Sequence, residues 1–164
     1  MSRLDSFIRR MSAQRDLLDH AAGLIDGVAG PVIELGLGSG RTYDHLKARL
    51  PGREVFVFDT LFSTVSIDQL PDREHMVLGD IRDTLPFCLP RIKAPAALLH
   101  NDIGAGDDTV NAATEAWLAP IVPGLMAPGG LVVTSFTMAL PGYELLPVPA
   151  SIPAGRYYLY RAPR

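Results

Sequence analysis

A glycine-rich turn carries the clearest chemical signal in this sequence. The apolar run Val32–Leu35 opens into three glycines at every second position: Gly36, Gly38 and Gly40. Glycine takes positive φ at little cost and lets a ligand approach the backbone closely. Residues 42–50 then have helical spacing, so free N–H groups and a helix N-terminus face one point. The turn therefore predicts a site for a small polar cofactor.

Polar residues stand where the next apolar runs end. They are Asp59 after residues 54–58, Asp80 after residues 75–78, and His100, Asn101 and Asp102 after residues 96–99. In open α/β sheets ligands bind outside the carboxyl ends of the strands, so these residues are candidates for ligand contact. Taken singly, an aspartate at such a place can also cap a helix or end a strand. Their combination with the glycine turn favours ligand contact.

The elements that must position these residues follow from the apolar spacing. Short apolar runs bounded by Gly, Pro or Asp predict five strands: Pro31–Leu35, Glu54–Phe58, His75–Leu78, Ala96–Leu99 and Leu131–Val133. Apolarity on both faces is typical of a buried parallel sheet. Helical spacing alternates with these runs in residues 4–25, 42–50 and 110–121, and less regularly in the Pro-interrupted segments 61–70 and 83–93. This alternation predicts right-handed β-α-β crossovers.

The C-terminal part of the chain departs from that alternation. The connection between Tyr143–Val148 and Arg156–Arg161 is too short for a crossover helix, which predicts an antiparallel hairpin. The expected fold is α/β: a three-layer sandwich around a doubly wound, mostly parallel seven-stranded sheet with an antiparallel C-terminal hairpin strand. We expect one domain over residues 1–164, in which residues 1–29 form a helical lid or interface segment and residues 30–164 form the core.

Composition excludes several classes of partner. The formal net charge is −3 and the sequence has no run rich in Lys or Arg, so nucleic acid is not expected. Cys88 is the single cysteine, which predicts a reducing compartment and a buried structural thiol. The N-terminus is charged, and no window approaches the roughly 20 apolar residues of a membrane span. We therefore expect a cytoplasmic protein without a membrane partner.

Two common nucleotide-binding turns do not fit the glycine spacing. The dinucleotide pattern G-x-G-x-x-G would need a glycine at Arg41, whereas the third glycine is Gly40. A phosphate-binding loop would need Gly-Lys-Ser/Thr after the turn, and this sequence has none there. A nicotinamide oxidoreductase is thus the least favoured of the possible functions.

The order of motifs resembles that of the class I S-adenosylmethionine-dependent methyltransferases. The pattern E-x-G-x-G-x-G spans Glu34 to Gly40, acids end the following strands, and Leu125–Gly130 is similar to the family's L-x-P-G-G turn. The resemblance extends from about Pro31 to the C-terminus and implies a Rossmann-like fold. It indicates a compact, bacterial-type member without a substrate-domain insertion. The implied cofactor is S-adenosyl-L-methionine, with S-adenosyl-L-homocysteine as product.

The resemblance also implies where the cofactor binds. The turn would hold the methionine portion, with Glu34 orienting its amino group, and Asp59 would accept both ribose hydroxyls. Asp80 would accept the adenine amine, with Ile81 against the ring. The full set of expected cofactor residues is Glu34, Gly36, Leu37, Gly38, Ser39, Gly40, Asp59, Thr60, Leu61, Gly79, Asp80, Ile81 and Asn101.

Catalytic residues are harder to assign, because displacement at a sulfonium methyl needs alignment and no protein nucleophile. A base is needed only if the acceptor must lose a proton, and the candidates are Asp102, His100 and Tyr43. Residues 101–104 begin like the Asn-Pro-Pro-aromatic signature of amino-group methyltransferases but lack both prolines and the aromatic. No metal is expected, since Thr134 and Ser135 stand where cation-dependent relatives have an Asp-Asn pair.

The acceptor expected for so short a chain is a small molecule, or one whose pocket a second subunit completes. Phe7, Ile8 and Met11 would suit a homodimer surface, although packing onto the sheet explains them as well. Methyl transfer to a small-molecule acceptor is the favoured function. A non-catalytic module that only binds S-adenosylmethionine is the alternative.

Overall fold

A seven-stranded sheet forms the centre of the protein, which we describe from a computed structural model over residues 2–61, 70–104 and 106–164. In chain order the strands are β1 (Val32–Leu35), β2 (Val55–Asp59), β3 (Met76–Leu78), β4 (Ala96–Asn101), β5 (Met126–Thr134), β6 (Glu144–Leu146) and β7 (Tyr158–Arg161). Their spatial order is β3-β2-β1-β4-β5-β7-β6. The predicted fold class is confirmed.

Strand direction changes only at the C-terminal end of the chain. Strands β1 to β5 pair in parallel, whereas β7 pairs antiparallel with β5 and with β6. The order reverses at β1, which has β2 on one side and β4 on the other. Such a switch point opens a crevice at the carboxyl ends of the strands. The glycine turn that follows β1 therefore lies at this crevice.

Helices cover both faces of the sheet. They are α1 (Arg3–Leu24), α2 (Arg41–Arg49), α3 (Ile81–Thr84), α4 (Leu89–Ile92) and α5 (Asp108–Leu118), with short 3₁₀ turns at Leu85–Phe87 and Val122–Gly124. The segment 83–93 is broken, because Pro86 and Pro90 each begin a new helical turn. The helix predicted over 61–70 falls almost entirely outside the described residues.

Two hydrophobic clusters separate the three layers. One contains α1 and α2 residues such as Leu17 and Leu46 packed on Val32 and Val57 of the sheet. The other packs α3, α4 and α5 against the opposite face, where Phe58 is fully buried. Alternate residues of one strand thus enter different clusters, as the pleat of a strand requires.

Strand β5 begins earlier than predicted. It starts at Met126 and includes Pro128, Gly129 and Gly130, which the sequence suggested as a turn before the strand. The register of its pairing with β4 shifts between Ala96 and Leu98, and Gly129 has a φ of 75°. A glycine with positive φ allows a bulge, so these three residues form part of the strand and not a turn before it.

Helix α1 is longer than the layer it covers. Its 22 residues span about 33 Å. From Ala13 onward it supplies buried residues to the core, whereas residues 3–10 are exposed. Phe7 and Ile8, expected either to pack on the sheet or to form a dimer surface, are 40% and 52% exposed. They do not pack on the sheet, and the homodimer stays a prediction, as does the division of the domain at residue 29.

No helix in the described part of the chain is long and apolar enough to cross a membrane.

The buried thiol of Cys88 should be unreactive in the folded protein. Cys88 is 3% exposed in the cluster under α3 and α4, and burial raises its pKa to about 11. Because the thiolate is the reactive form, we expect no labelling by a disulfide reagent at pH 8 without denaturant, and full labelling in urea. Rapid labelling of the native protein would show that this cluster opens.

Candidate active site

The glycine turn connects β1 to α2. Gly36, Gly38 and Gly40 have φ values of 89°, 52° and 79°, in the region that side chains with a Cβ rarely adopt. The amide of Gly36 donates to the carbonyl of Phe58 at 2.8 Å, which holds the turn against β2. Among the described residues, no atom would lie within 4 Å of a Cβ built on Gly38. The turn therefore places backbone in a conformation reserved for glycine beside the strand ends.

Asp59 links the end of β2 to this turn. Its Oδ2 accepts from the amides of Leu37 at 2.7 Å and Gly38 at 3.4 Å, and its Oδ1 accepts from the amide of Leu61 at 3.2 Å. Thr60 and Leu61 are exposed next to it. A carboxylate oxygen has more than one acceptor direction, so Asp59 can stabilise the turn and still accept from a ligand hydroxyl.

Asp80 lies at the end of the neighbouring strand. It caps α3, since its Oδ1 accepts from the amide of Arg82 at 2.9 Å, and the carboxylate is exposed. Gly79 has a φ of 144°, and its amide donates to the carbonyl of Asp59 at 3.1 Å. Ile81 is buried in the core. Asp59 and Asp80 thus lie on adjacent strand ends, as the sequence predicted from their positions.

Glu34 lies in a buried polar network. Its carboxylate accepts from the hydroxyl of Thr42 through one oxygen, and its Oε2 lies 2.7 Å from Nδ1 of His100. Both residues of the pair are at most 1% exposed. The register of β1 and β4 sets Glu34 directly beside His100, while Thr42 reaches it from the first turn of α2. The network therefore joins both central strands to the helix that follows the glycine turn.

Burial and mutual attraction shift the pKa of both groups. Burial raises the pKa of Glu34, and His100 and Thr42 oppose that rise. For His100, burial alone would lower the pKa, but the charge and hydrogen bond of Glu34 bring it above its ordinary value of 6.5. The imidazole therefore tends to hold its proton beside the carboxylate. The predicted contact of Glu34 with the cofactor amino group and the catalytic role of His100 stay predictions.

Asp102 stands one residue beyond β4 and faces α1. Its Oδ1 accepts from the side-chain amide of Gln14 at 2.8 Å, and the residue is exposed. Its amide donates to the carbonyl of Leu35 at 3.0 Å. A Cβ on Gly36 would lie 3.5 Å from the carbonyl oxygen of Asp102. The turn and Asp102 are therefore adjacent.

Sequence reasoning did not single out Gln14 or Tyr157 near this carboxylate. Gln14 is 4% exposed on α1, on the stripe that continues through Leu18 and Ala21. A polar residue inside an apolar stripe was the available signal. Tyr157 is 6% exposed. Burial raises its pKa, and so does the charge of Asp102.

Two other predicted residues, Asn101 and Tyr43, are buried away from the turn, and a third lies within it. Asn101 is buried and faces the opposite side of the sheet, where its Nδ2 donates to Oγ1 of Thr134 at 3.1 Å. Tyr43 is 5% exposed in the cluster with α1, and burial raises the pKa of its phenol. Ser39 lies half-buried within the turn itself. Their functional roles stay predictions.

The donors and acceptors around the turn fit S-adenosylmethionine. Asp59 and Asp80 offer carboxylate oxygens to hydroxyl and amino donors, and the positive-φ glycines of the turn allow close approach of a ligand to the backbone. No group of three or more His, Cys, Asp or Glu side chains suited to a metal occurs among residues 2–61, 70–104 and 106–164.

Comparisons with known proteins agree with this fit. A family model described as S-adenosyl-L-methionine methyltransferase matches residues 1–162. A crystal structure of an S-adenosyl-L-methionine methyl transferase from Silicibacter pomeroyi DSS-3 is 43% identical to this chain, with a TM-score of 0.89 and 98% of each chain covered.

More distant structures show the same fold. CalS11, a TDP-rhamnose 3'-O-methyltransferase of calicheamicin biosynthesis, is 19% identical with a TM-score of 0.66, over 97% of this chain and 83% of its own. The methyltransferase MycE of the mycinamycin pathway, in complex with Mg and SAH, is 16% identical with a TM-score of 0.53, over 82% of this chain and 42% of its own. No protein of curated function matches the sequence. The match over almost the whole chain and the 43% identical relative show that this protein belongs to the S-adenosyl-L-methionine methyltransferase family.

Proposed function

We propose that this methyltransferase acts on a small-molecule acceptor that docks beside Asp102. The observation that carries the proposal is an exposed carboxylate, oriented by Gln14, whose backbone adjoins the glycine turn at Gly36. Residues 3–10 of α1 are exposed and available to cover such an acceptor. One structural neighbour, the TDP-rhamnose 3'-O-methyltransferase CalS11, also acts on a small molecule.

Each group around the turn has a proposed role in binding. The turn holds the methionine portion, Asp59 accepts from the ribose hydroxyls, and Asp80 accepts from the adenine amine beside Ile81. The half-buried carboxylate of Asp59, the exposed carboxylate of Asp80 and the positive φ of the three turn glycines support these roles. Glu34 and His100 act as positioning residues, because their pair secures the start of α2 through Thr42. When bound, the cofactor supplies an electrophilic methyl group.

Asp102 is the proposed general base. An alcohol must lose its proton as it attacks, and a carboxylate at hydrogen-bond distance can take it. Gln14 holds one oxygen of Asp102, and the other oxygen has no further hydrogen bond to the described residues. The carboxylate can therefore meet the acceptor in a fixed orientation.

We also place the protein in the cytoplasm, an assignment that the single buried Cys88 supports.

Methyl transfer can be tested without knowing the acceptor. The protein would be incubated with methyl-labelled cofactor and a metabolite extract, and small molecules would be separated from macromolecules. We expect label in the small-molecule fraction, and none when Asp102 is changed to asparagine. Label found only in protein or RNA would contradict the proposed acceptor class.

Replacing Gln14 should slow transfer without weakening cofactor binding. In Gln14→Met the side chain keeps its length but no longer donates to Asp102, so the carboxylate is less well oriented. A hydrogen bond to a charged group contributes about 1.5–3 kcal/mol, so we expect kcat to fall by about tenfold or more. The affinity for S-adenosylhomocysteine, measured by calorimetry, should be unchanged. An unaltered kcat would remove Gln14 from the mechanism.

A further inference from the structure

A cavity lined by arginines lies beside α1, at residues that neighbour Gln14 in the chain. It has a volume of about 240 Å³ and is lined by Ser6, Arg9, Arg10, Ala13, Pro153 and Arg156. Four of these residues lie at spacings of three, four and seven along α1, which is one face of a helix. The remaining two come from the loop that leads into β7. The cavity is therefore formed by two segments distant in sequence.

The charge of this cavity is positive. Arg9, Arg10 and Arg156 contribute three guanidinium groups, and no acidic residue lines it. None of the three forms an ion pair with a residue in the described part of the chain, whereas Arg15 and Arg49 are paired with aspartates. The formal net charge of the whole protein is −3, so this local excess runs against the overall balance. A concave site with charges of one sign concentrates ions of the opposite sign.

The shape and chemistry of the cavity suit an anionic group. Guanidinium forms paired hydrogen bonds with carboxylate and phosphate, and it stays protonated at any physiological pH. Pockets for whole ligands usually measure about 300–1,000 Å³, which exceeds the 240 Å³ of this cavity. The volume thus fits one charged group of a ligand whose remainder lies outside.

Two separate chain connections bring the cavity to Asp102. On α1, Ala13 lines the cavity and the next residue, Gln14, donates to Asp102. Before β7, Arg156 lines the cavity, and the next residue is Tyr157, whose pKa the charge of Asp102 raises. The charges of Arg10 and Arg156 lower the pKa of the same phenol. The hydrogen bond from Gln14 thus places Asp102 one chain position from a residue that lines the cavity.

From this arrangement we infer that the methyl acceptor is an acidic small molecule, whose carboxylate or phosphate binds Arg9, Arg10 and Arg156 while its reacting atom lies at Asp102. The inference rests on the proposed function, because it names the acceptor class for the same site. The arginines hold the acceptor at a fixed distance from the cofactor turn. They take no part in the displacement itself.

Binding of simple anions tests the cavity directly. Phenyl phosphate, benzoate and the neutral benzamide would each be titrated by NMR into protein saturated with S-adenosylhomocysteine. We expect saturable binding of phenyl phosphate or benzoate but not of benzamide, and the tighter anion identifies the group. Arg9→Gln and Arg156→Gln should each weaken that binding by about tenfold or more, as for the loss of a charged hydrogen bond. Arg3→Gln removes the same charge from α1 outside the cavity and should bind normally.

Three results of the titration would overturn the inference: equal binding of benzamide, no binding of either anion, or unchanged binding in both cavity variants.

In the metabolite experiment, labelled products would also be passed over an anion-exchange resin. Retained product supports the acidic acceptor, and product only in the unretained fraction overturns it while the proposed function stands. Absence of labelled small molecules from every fraction would instead contradict the proposed function.

Discussion

Replacing His100 with alanine is expected to destabilise the folded protein by about 3–5 kcal/mol, the usual cost of removing one partner from a buried ion pair. The variant leaves the buried carboxylate of Glu34 without its cationic partner. In the natural protein Glu34 and His100 are each at most 1% exposed. The variant also loses the 2.7 Å contact that links β4 to β1. Urea unfolding at neutral pH, followed by circular dichroism, measures the change.

A surface pair in the same protein provides the control. Nε2 of His45 lies 3.0 Å from Oδ1 of Asp19, with both side chains partly exposed. Exposed pairs contribute about 0–1 kcal/mol, so His45→Ala should have little effect. If the two variants lose similar stability, the buried network contributes no more than a surface contact.

The pH dependence of stability should reverse in Glu34→Gln. In the natural protein the pKa of His100 is raised above 6.5 by Glu34, so its contribution to stability is complete below pH 6.5 and is lost as the pH rises through the folded pKa. In Glu34→Gln that charge is absent, so burial, which lowers the pKa of His100, is opposed by the charge of Asp102 alone among the causes described, and we expect a pKa below 6.5. Stability should then increase as the pH rises through 6.5. If the stability of both proteins changed with pH in the same way, the charge of Glu34 would not determine the pKa of His100.

Replacing Asp59 with alanine is expected to weaken cofactor binding by roughly ten- to a hundredfold, from the loss of a charged hydrogen bond worth about 1.5–3 kcal/mol. Two effects combine in this loss. The carboxylate no longer accepts from the ribose hydroxyls, and Leu37 loses the 2.7 Å bond that holds the turn. Calorimetry with S-adenosylhomocysteine measures the affinity.

Two further variants separate these effects. Asp59→Asn keeps one acceptor oxygen for the turn but loses the charge, so its affinity should fall between those of the natural protein and the alanine variant. Asp107→Ala removes an exposed aspartate that caps α5, and it should leave the affinity unchanged. An unchanged affinity in Asp59→Ala would mean that the ribose binds elsewhere.

The fold was predictable because its signals are local. Alternating apolar runs and helical spacings predicted the parallel strands, and the short connection before residue 156 predicted the hairpin that β6 and β7 form. The ends of the strands were less predictable. The residues predicted as a turn, Pro128–Gly130, belong to β5, because Gly129 permits a bulge there. Segment 83–93 was harder to predict, since its prolines divide it into separate turns.

Within the site, the cofactor turn was visible in the sequence and the partners of its acids were not. Glu34 was expected to orient the amino group of the cofactor, a role that stays a prediction, and its hydrogen bonds to Thr42 and His100 were not predicted. That contact depends on the register between β1 and β4. A shift of one residue would turn His100 to the other face of the sheet, and register is not a property of either strand alone.

The sequence by itself determined the sheet class, the glycine turn and the acids at the strand ends, because spacing, positive φ and strand length are properties of short segments. Only the tertiary structure decided what surrounds Asp102. No Lys- or Arg-rich run exists in the sequence, yet folding brings Arg156 beside Arg9 and Arg10 and sets Gln14 on the carboxylate. These groups meet because α1 extends past the strand ends and β7 begins there, a result of packing between segments at opposite ends of the chain.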